Sequence, residues 1–197
     1  MKLNLKQLFN PFERVAGYRS LLWGIAGMII ATLFSVMADI HYHGLLHFGP
    51  APNPAWWCFA IEHLVVWIIP AVLFYIFGLI FSKSRIRPVD VLRTTAFAQL
   101  PFILMSAFYL LPPLKRFLQL PVDTMVPQQL LQSPDFIKGM WLSLIGMLFL
   151  IWVLIWMYQA FRISCNLKGY KLGLCYAIAI LGGDFLCRSL IGYLCYR

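Results

Sequence analysis

The sequence predicts an all-α, polytopic integral membrane protein with five transmembrane helices in one bundle. Three observations carry that prediction. The chain of 197 residues is 61% hydrophobic and 12% charged, whereas a soluble domain carries roughly 25% charged residues. So little polar surface cannot coat a globule in water, so much of the surface must face lipid. Apolar segments of spanning length recur five times. Lys and Arg gather in alternate connections between them, which is the charge pattern of a polytopic membrane protein.

Two regions follow from this, a basic arm over residues 1–19 and a five-span domain over residues 20–197. In the arm, Leu3, Leu5, Leu8, Phe9, Phe12 and Val15 alternate with basic groups. Asn10-Pro11 is a helix-start signal, because proline suits the first helical position after an asparagine cap. It predicts a short interfacial helix with Phe12 and Val15 toward lipid. The spans are expected at about 21–37, 56–81, 89–111, 139–161 and 172–194. The first span lacks the short apolar core and small-residue cleavage site of a signal peptide and is read as retained. Pro70 and Pro101 each remove a backbone donor and should bend the second and third spans. Pro112-Pro113 ends the third. The connection after it is long enough for short interfacial helices over Leu114–Leu118 and Gln128–Leu131. Gly24, Gly27, Gly146, Gly169, Gly173, Gly182 and Gly183 allow close helix approach. Trp56, Trp57 and Trp141 stand near span ends, where an aromatic belt is expected.

Charge sets the expected orientation. Lys2, Lys6, Arg14, Arg19, Lys83, Arg85, Arg87, Arg93, Arg162, Lys168 and Lys171 fall on one side, eleven in all. Lys115, Arg116, Lys138 and Arg197 fall on the other, and the connection from Asp39 to Ala55 has none. The positive-inside rule places the N-terminus in the cytoplasm and the C-terminus outside. The net charge of +9 thus reflects basic loops beside anionic lipid rather than nucleic-acid binding.

The candidates for chemistry are concentrated at the outer surface. All four histidines fall between His41 and His63, in the run Asp39-Ile-His41-Tyr-His43-Gly-Leu-Leu-His47 and in Glu62-His63. If the first helix continues, Asp39, His43 and His47 share a stripe; if the backbone is extended, His41 and His43 share a face instead. Glu62-His63 lies about 9 Å below the outer end of the second span at helical rise, within reach of a descending loop. Imidazoles and carboxylates in this number suit zinc or another transition metal, with Asp39, His41, His43, His47, Glu62 and His63 as the ligand candidates. Inside the fifth span Asp184 and Arg188 are four residues apart, one helix face, and predict a mutual ion pair. Gln99, just before Pro101, is a neutral partner for Asp184. The five cysteines show no paired-thiolate spacing. Only Cys58 and Cys195 are near the outer face, and whether they pair is open. No Walker loop, nucleophile elbow or glycosidase-like carboxylate pair is present.

Three stretches, Asn10-Pro-Phe-Glu-Arg-Val15, Arg93-Thr-Thr-Ala-Phe-Ala-Gln-Leu-Pro101 and Asn166-Leu-Lys-Gly-Tyr-Lys171, together with the five-span plan, resemble the Yip (Ypt-interacting protein) membrane family, especially its bacterial members. The likeness runs over nearly the whole chain. It implies an α-helical bundle, a cytoplasmic N-terminus, residence in a bacterial inner membrane and no established enzymatic reaction. Eukaryotic relatives work in vesicle trafficking with small prenylated GTPases, and carry a longer N-terminal region with an Asp-Leu-Tyr-Gly-Pro motif. This sequence has neither, so GTPase binding is not among the expectations. Three functions remain to be weighed. The first is a non-enzymatic bundle organising membrane, protein partners or its own copies. The second is a metal-dependent hydrolase with Glu62 as general base. The third is a transporter using Asp184 and Arg188.

Overall fold

A computed structural model describes residues 9–13, 17–51, 54–120 and 126–197. The expectations for Lys2, Leu3, Leu5, Lys6, Leu8, Arg14 and Val15 lie outside the described residues. Among the described residues, eight α-helices follow a 3-10 turn at Pro11–Glu13: α1 (Tyr18–Ala38), α2 (Cys58–Phe81), α3 (Pro88–Ala98), α4 (Pro101–Phe108), α5 (Pro112–Leu118), α6 (Pro127–Gln132), α7 (Pro134–Cys165) and α8 (Gly169–Cys195). A two-stranded hairpin, β1 (His41–Tyr42) and β2 (Phe48–Gly49), lies between α1 and α2. Among the described residues, five helical segments are long and apolar enough to cross a membrane, with α3 and α4 together forming the third. Their outer faces carry Leu22, Ile29, Leu148, Leu181 and Phe185 in exposed positions, as a hydrocarbon solvent requires. The protein is an integral membrane protein of the all-α class.

Proline sets many of the boundaries. Pro88, Pro101, Pro112, Pro127 and Pro134 each occupy the first turn of a helix, where the missing N–H has no intrahelical partner to lose. Pro101 does more than bend its span: the helix stops at Ala98 and restarts at Pro101. Across the break, Leu100 N–H donates to the Phe97 carbonyl at 3.2 Å, the acceptor that Pro101 leaves without its helical donor. The short helices α5 and α6 stand where the long connection predicts them.

The third span is the hub. It packs against α1, α2 and α7, and 56% of it is buried, against 22–39% for the others. The α1 crossing is close: a Cβ on Gly24 would fall 2.6 Å from the Ala96 carbonyl carbon. On the other side of the bundle α2 packs along α8. Trp67 Nε1 donates to the Leu92 carbonyl at 3.0 Å, and the Tyr176 hydroxyl to the Leu154 carbonyl at 2.5 Å. These bonds tie α2 to α3 and α8 to α7.

One expectation for the arm is corrected. Phe12 is not directed at lipid. It is buried, edge-on to Phe97 and Trp156 with ring centroids 5.6 and 6.5 Å away. Among the described residues the Pro11 start forms a 3-10 turn, and this turn lays Phe12 against α3 and α7.

Candidate functional site

The His-rich segment is built on a reversal at Asp39. That residue takes the left-handed conformation, φ 56° and ψ 45°, and α1 closes in a Schellman pattern. Asp39 N–H reaches the Val36 carbonyl at 3.4 Å and Ile40 N–H the Ser35 carbonyl at 3.1 Å. The helix therefore does not continue through the histidines. Asp39 is an exposed helix cap, and the stripe of Asp39, His43 and His47 does not form. The extended alternative holds instead. His41 pairs with Gly49 and Tyr42 with Phe48, and the His41 and His43 rings lie 6.5 Å apart.

The hairpin does not float over the bundle. It descends into it and is held by buried polar groups from four helices. Glu62 of α2 is fully buried. Its Oε1 accepts from His41 Nδ1 at 2.8 Å and from the Tyr196 hydroxyl at 2.5 Å, and its Oε2 accepts from the Tyr42 backbone N–H at 2.8 Å. Three donors thus occupy most of the roughly four acceptor positions of a carboxylate. The bond to Glu62 places a proton on His41 Nδ1 and turns Nε2 away from the carboxylate. That Nε2 is buried without a hydrogen-bond partner, and the ring stacks on Phe59 at 3.9 Å. Next to it Tyr42 crosses the bundle. Its hydroxyl is 2.9 Å from Ser106 Oγ on α4, which is 3.1 Å from Ser35 Oγ on α1. Burial raises the Tyr42 phenol above its ordinary pKa.

Asp184 of α8 is the second anchor. Its Oδ1 accepts from the Leu46 backbone N–H at 2.8 Å, and its Oδ2 lies 3.0 Å from His47 Nδ1. The predicted Asp184–Arg188 pair is absent. Arg188 lays its stem over the hairpin: a Cβ on Gly44 would fall 2.7 Å from both Arg188 Cγ and Asp184 Oδ1. The hairpin brings a fixed backbone donor and an imidazole to the carboxylate, while the Arg188 stem packs at Gly44.

Gln99 is not a partner of Asp184 either. Its Nε2 donates to the Val66 carbonyl at 3.0 Å. Val66 precedes Pro70 by four residues, so its carbonyl is the acceptor that Pro70 deprives of a donor. An amide on the third span thus repairs the proline defect in the second, as apolar surroundings demand.

The remaining histidines go separate ways. His43 Nε2 lies 3.2 Å from the Pro50 carbonyl, and its ring is 5.2 Å from that of Tyr196. Partial burial lowers its pKa, and the Pro50 hydrogen bond opposes that shift. His63 Nδ1 donates to the Phe59 carbonyl at 3.0 Å, while Tyr42 stands edge-on to its ring at 4.6 Å. The six ligand candidates are therefore divided among a Glu62 group, an Asp184 group, a helix cap and two backbone-bonded imidazoles. Among the described residues, no three His, Cys, Asp or Glu side chains gather as a metal would require. Tyr42, Ser35, Ser106 and Tyr196 are the members that sequence reasoning missed. Hydroxyls on otherwise apolar spans are the signal that points to the two serines. Tyr196 carries no such signal, because only the fold brings residue 196 to Glu62.

No curated protein and no solved structure matches this chain. Residues 6–187 match the Yip1 domain. This stretch takes in all of the first four spans, the hairpin with its two carboxylate anchors, and most of α8. The chain belongs to the Yip1-domain family.

Proposed function

We propose that this protein is a non-enzymatic membrane scaffold, which organises partner proteins or further copies of itself through its lipid-embedded bundle. The observation that carries this reading is the use to which the buried polar groups are put. Glu62 takes three hydrogen bonds and Asp184 takes two groups of the hairpin. Each donor belongs to the protein itself and joins one structural element to another. A hydrolase built on Glu62 would need that carboxylate free to accept a proton from water. A proton or ion path through Asp184 would need it released from Leu46 and His47. Both groups are instead engaged in holding the hairpin down, which supports a structural role for the polar cluster. The expected orientation puts the hairpin outside and the N-terminus in the cytoplasm, leaving the basic arm and the inner turns available to cytoplasmic partners and anionic lipid.

The test has two arms. X-ray fluorescence of the purified protein is expected to find no stoichiometric zinc or other transition metal. Flux into vesicles reconstituted with the wild type is expected to equal that of Asp184→Asn. Stoichiometric metal lost in His41→Ala would overturn the reading in favour of a metal site. Solute flux abolished by Asp184→Asn would overturn it in favour of transport.

A further inference from the structure

Two of the five cysteines meet where the hairpin end of the bundle closes. Cys58 is the first residue of α2 and Cys195 the last of α8. These helices pack together, and their ends bring the two residues into contact although 137 positions separate them in sequence. The Cys58 thiol points at the Cys195 carbonyl, with sulfur and oxygen 3.8 Å apart. Both are free thiols. The other three have separate surroundings: Cys165 donates to the Phe74 carbonyl and Cys187 to the Val65 carbonyl, and Cys175 is buried on α8.

We propose that Cys58 and Cys195 form an intramolecular, redox-sensitive disulfide that latches the C-terminus over the Glu62 network. A sulfur 3.8 Å from the neighbouring residue's backbone oxygen, on two packed helix ends, brings the residues near enough for a bridge once the two side chains turn toward each other. Access sets the order of the steps. Cys58 is fully buried, whereas Cys195 is partly exposed, so an outside oxidant meets Cys195 first. With a small disulfide as oxidant, the Cys195 thiolate attacks one sulfur and expels one thiolate, giving a mixed disulfide. The Cys58 thiolate then attacks the Cys195 sulfur and expels the second. The protein loses two protons and two electrons, and the small disulfide is reduced to two thiols.

The consequence falls on Tyr196, the next residue. Its hydroxyl donates to Glu62 Oε1, and its ring lies 6.2 Å from His41 and 5.2 Å from His43. A bridge at position 195 prevents this tyrosine from swinging away. Without the bridge, the phenol, its ring contacts and the backbone N–H bond to the Gly192 carbonyl retain it.

The experiment uses the full-length protein in detergent, reduced, freed of reductant and then incubated with oxidised glutathione. Thiols are counted with a maleimide after denaturation, and the bridged peptides are sequenced by mass spectrometry. Three of five thiols are expected to react, with Cys58 joined to Cys195 in one chain, and all five after reduction. In Cys58→Ser the second step is blocked, so glutathione is expected to remain on Cys195. Oxidised wild type is also expected to resist carboxypeptidase removal of Tyr196 longer than the reduced form. Five reactive thiols after oxidation, a bridge joining any other pair, or a Cys58–Cys195 bridge found only between two chains would overturn the proposal. The wild-type count decides the matter even if a serine variant fails to fold.

Discussion

At the residue scale, the Gln99–Val66 bond is the clearest case of one side chain correcting another's defect. Pro70 stands inside α2 and deprives the Val66 carbonyl of its helical donor in an apolar interior, and Gln99 supplies the donor from the neighbouring span. Gln99→Leu should destabilise the bundle by about 1–3 kcal/mol, the cost of leaving a buried acceptor unpaired. The lower end is expected, because Gln99 Oε1 is itself buried without a partner and the change removes it. In a Pro70→Ala background the restored N–H can serve Val66, so the same change should cost less than about 1 kcal/mol. Thermal unfolding of the four proteins in one detergent measures the coupling. Equal costs in the two backgrounds would sink the account. The proline, the glutamine and their residence in apolar spans are all legible in the sequence. Their pairing is not, because it depends on which turn of α3 faces which turn of α2.

At the scale of elements, close approach decides which glycines matter. Gly24 lies against the Ala96 backbone, which cannot swing aside as a side chain would. Gly24→Val should force α1 from α3 and cost about 1–3 kcal/mol by overpacking. Gly182 has nothing within 4 Å of a Cβ, so Gly182→Ala should leave the folded yield unchanged. Size-exclusion profiles with unfolding midpoints compare the two, and equal sensitivity would contradict the packing described. Both positions read alike in the sequence, since a glycine on an apolar helix does not reveal whether protein or lipid lies opposite. The hairpin teaches the same lesson. Its histidines can be read on a helix stripe or on a strand face, and the left-handed turn at Asp39 selects the strand. That selection separates Asp39 from His43 and His47, and carries His41 and Tyr42 down to Glu62 and Ser106.

For the whole molecule, an odd number of spans requires the termini to lie on opposite sides of the membrane. Reporter fusions at the two ends are expected to place the N-terminus in the cytoplasm and the C-terminus outside; a same-side result would refute the five-span count. By itself the sequence determined the class and the number of spans, because hydrocarbon thickness and backbone satisfaction in lipid act on local composition. It also marked the polar residues that had to find partners: Asp184, Glu62, Gln99 and the histidines. Only the tertiary structure decided which partners they found. Asp184 turned from Arg188 to the hairpin, Gln99 to the carbonyl below Pro70, and Glu62 to His41, Tyr42 and Tyr196. The physical reason is that a buried polar atom must be satisfied by whatever group the packing brings within about 3 Å. In a bundle of five spans that group usually comes from a different helix or from a loop many residues away, where no sequence period can point to it.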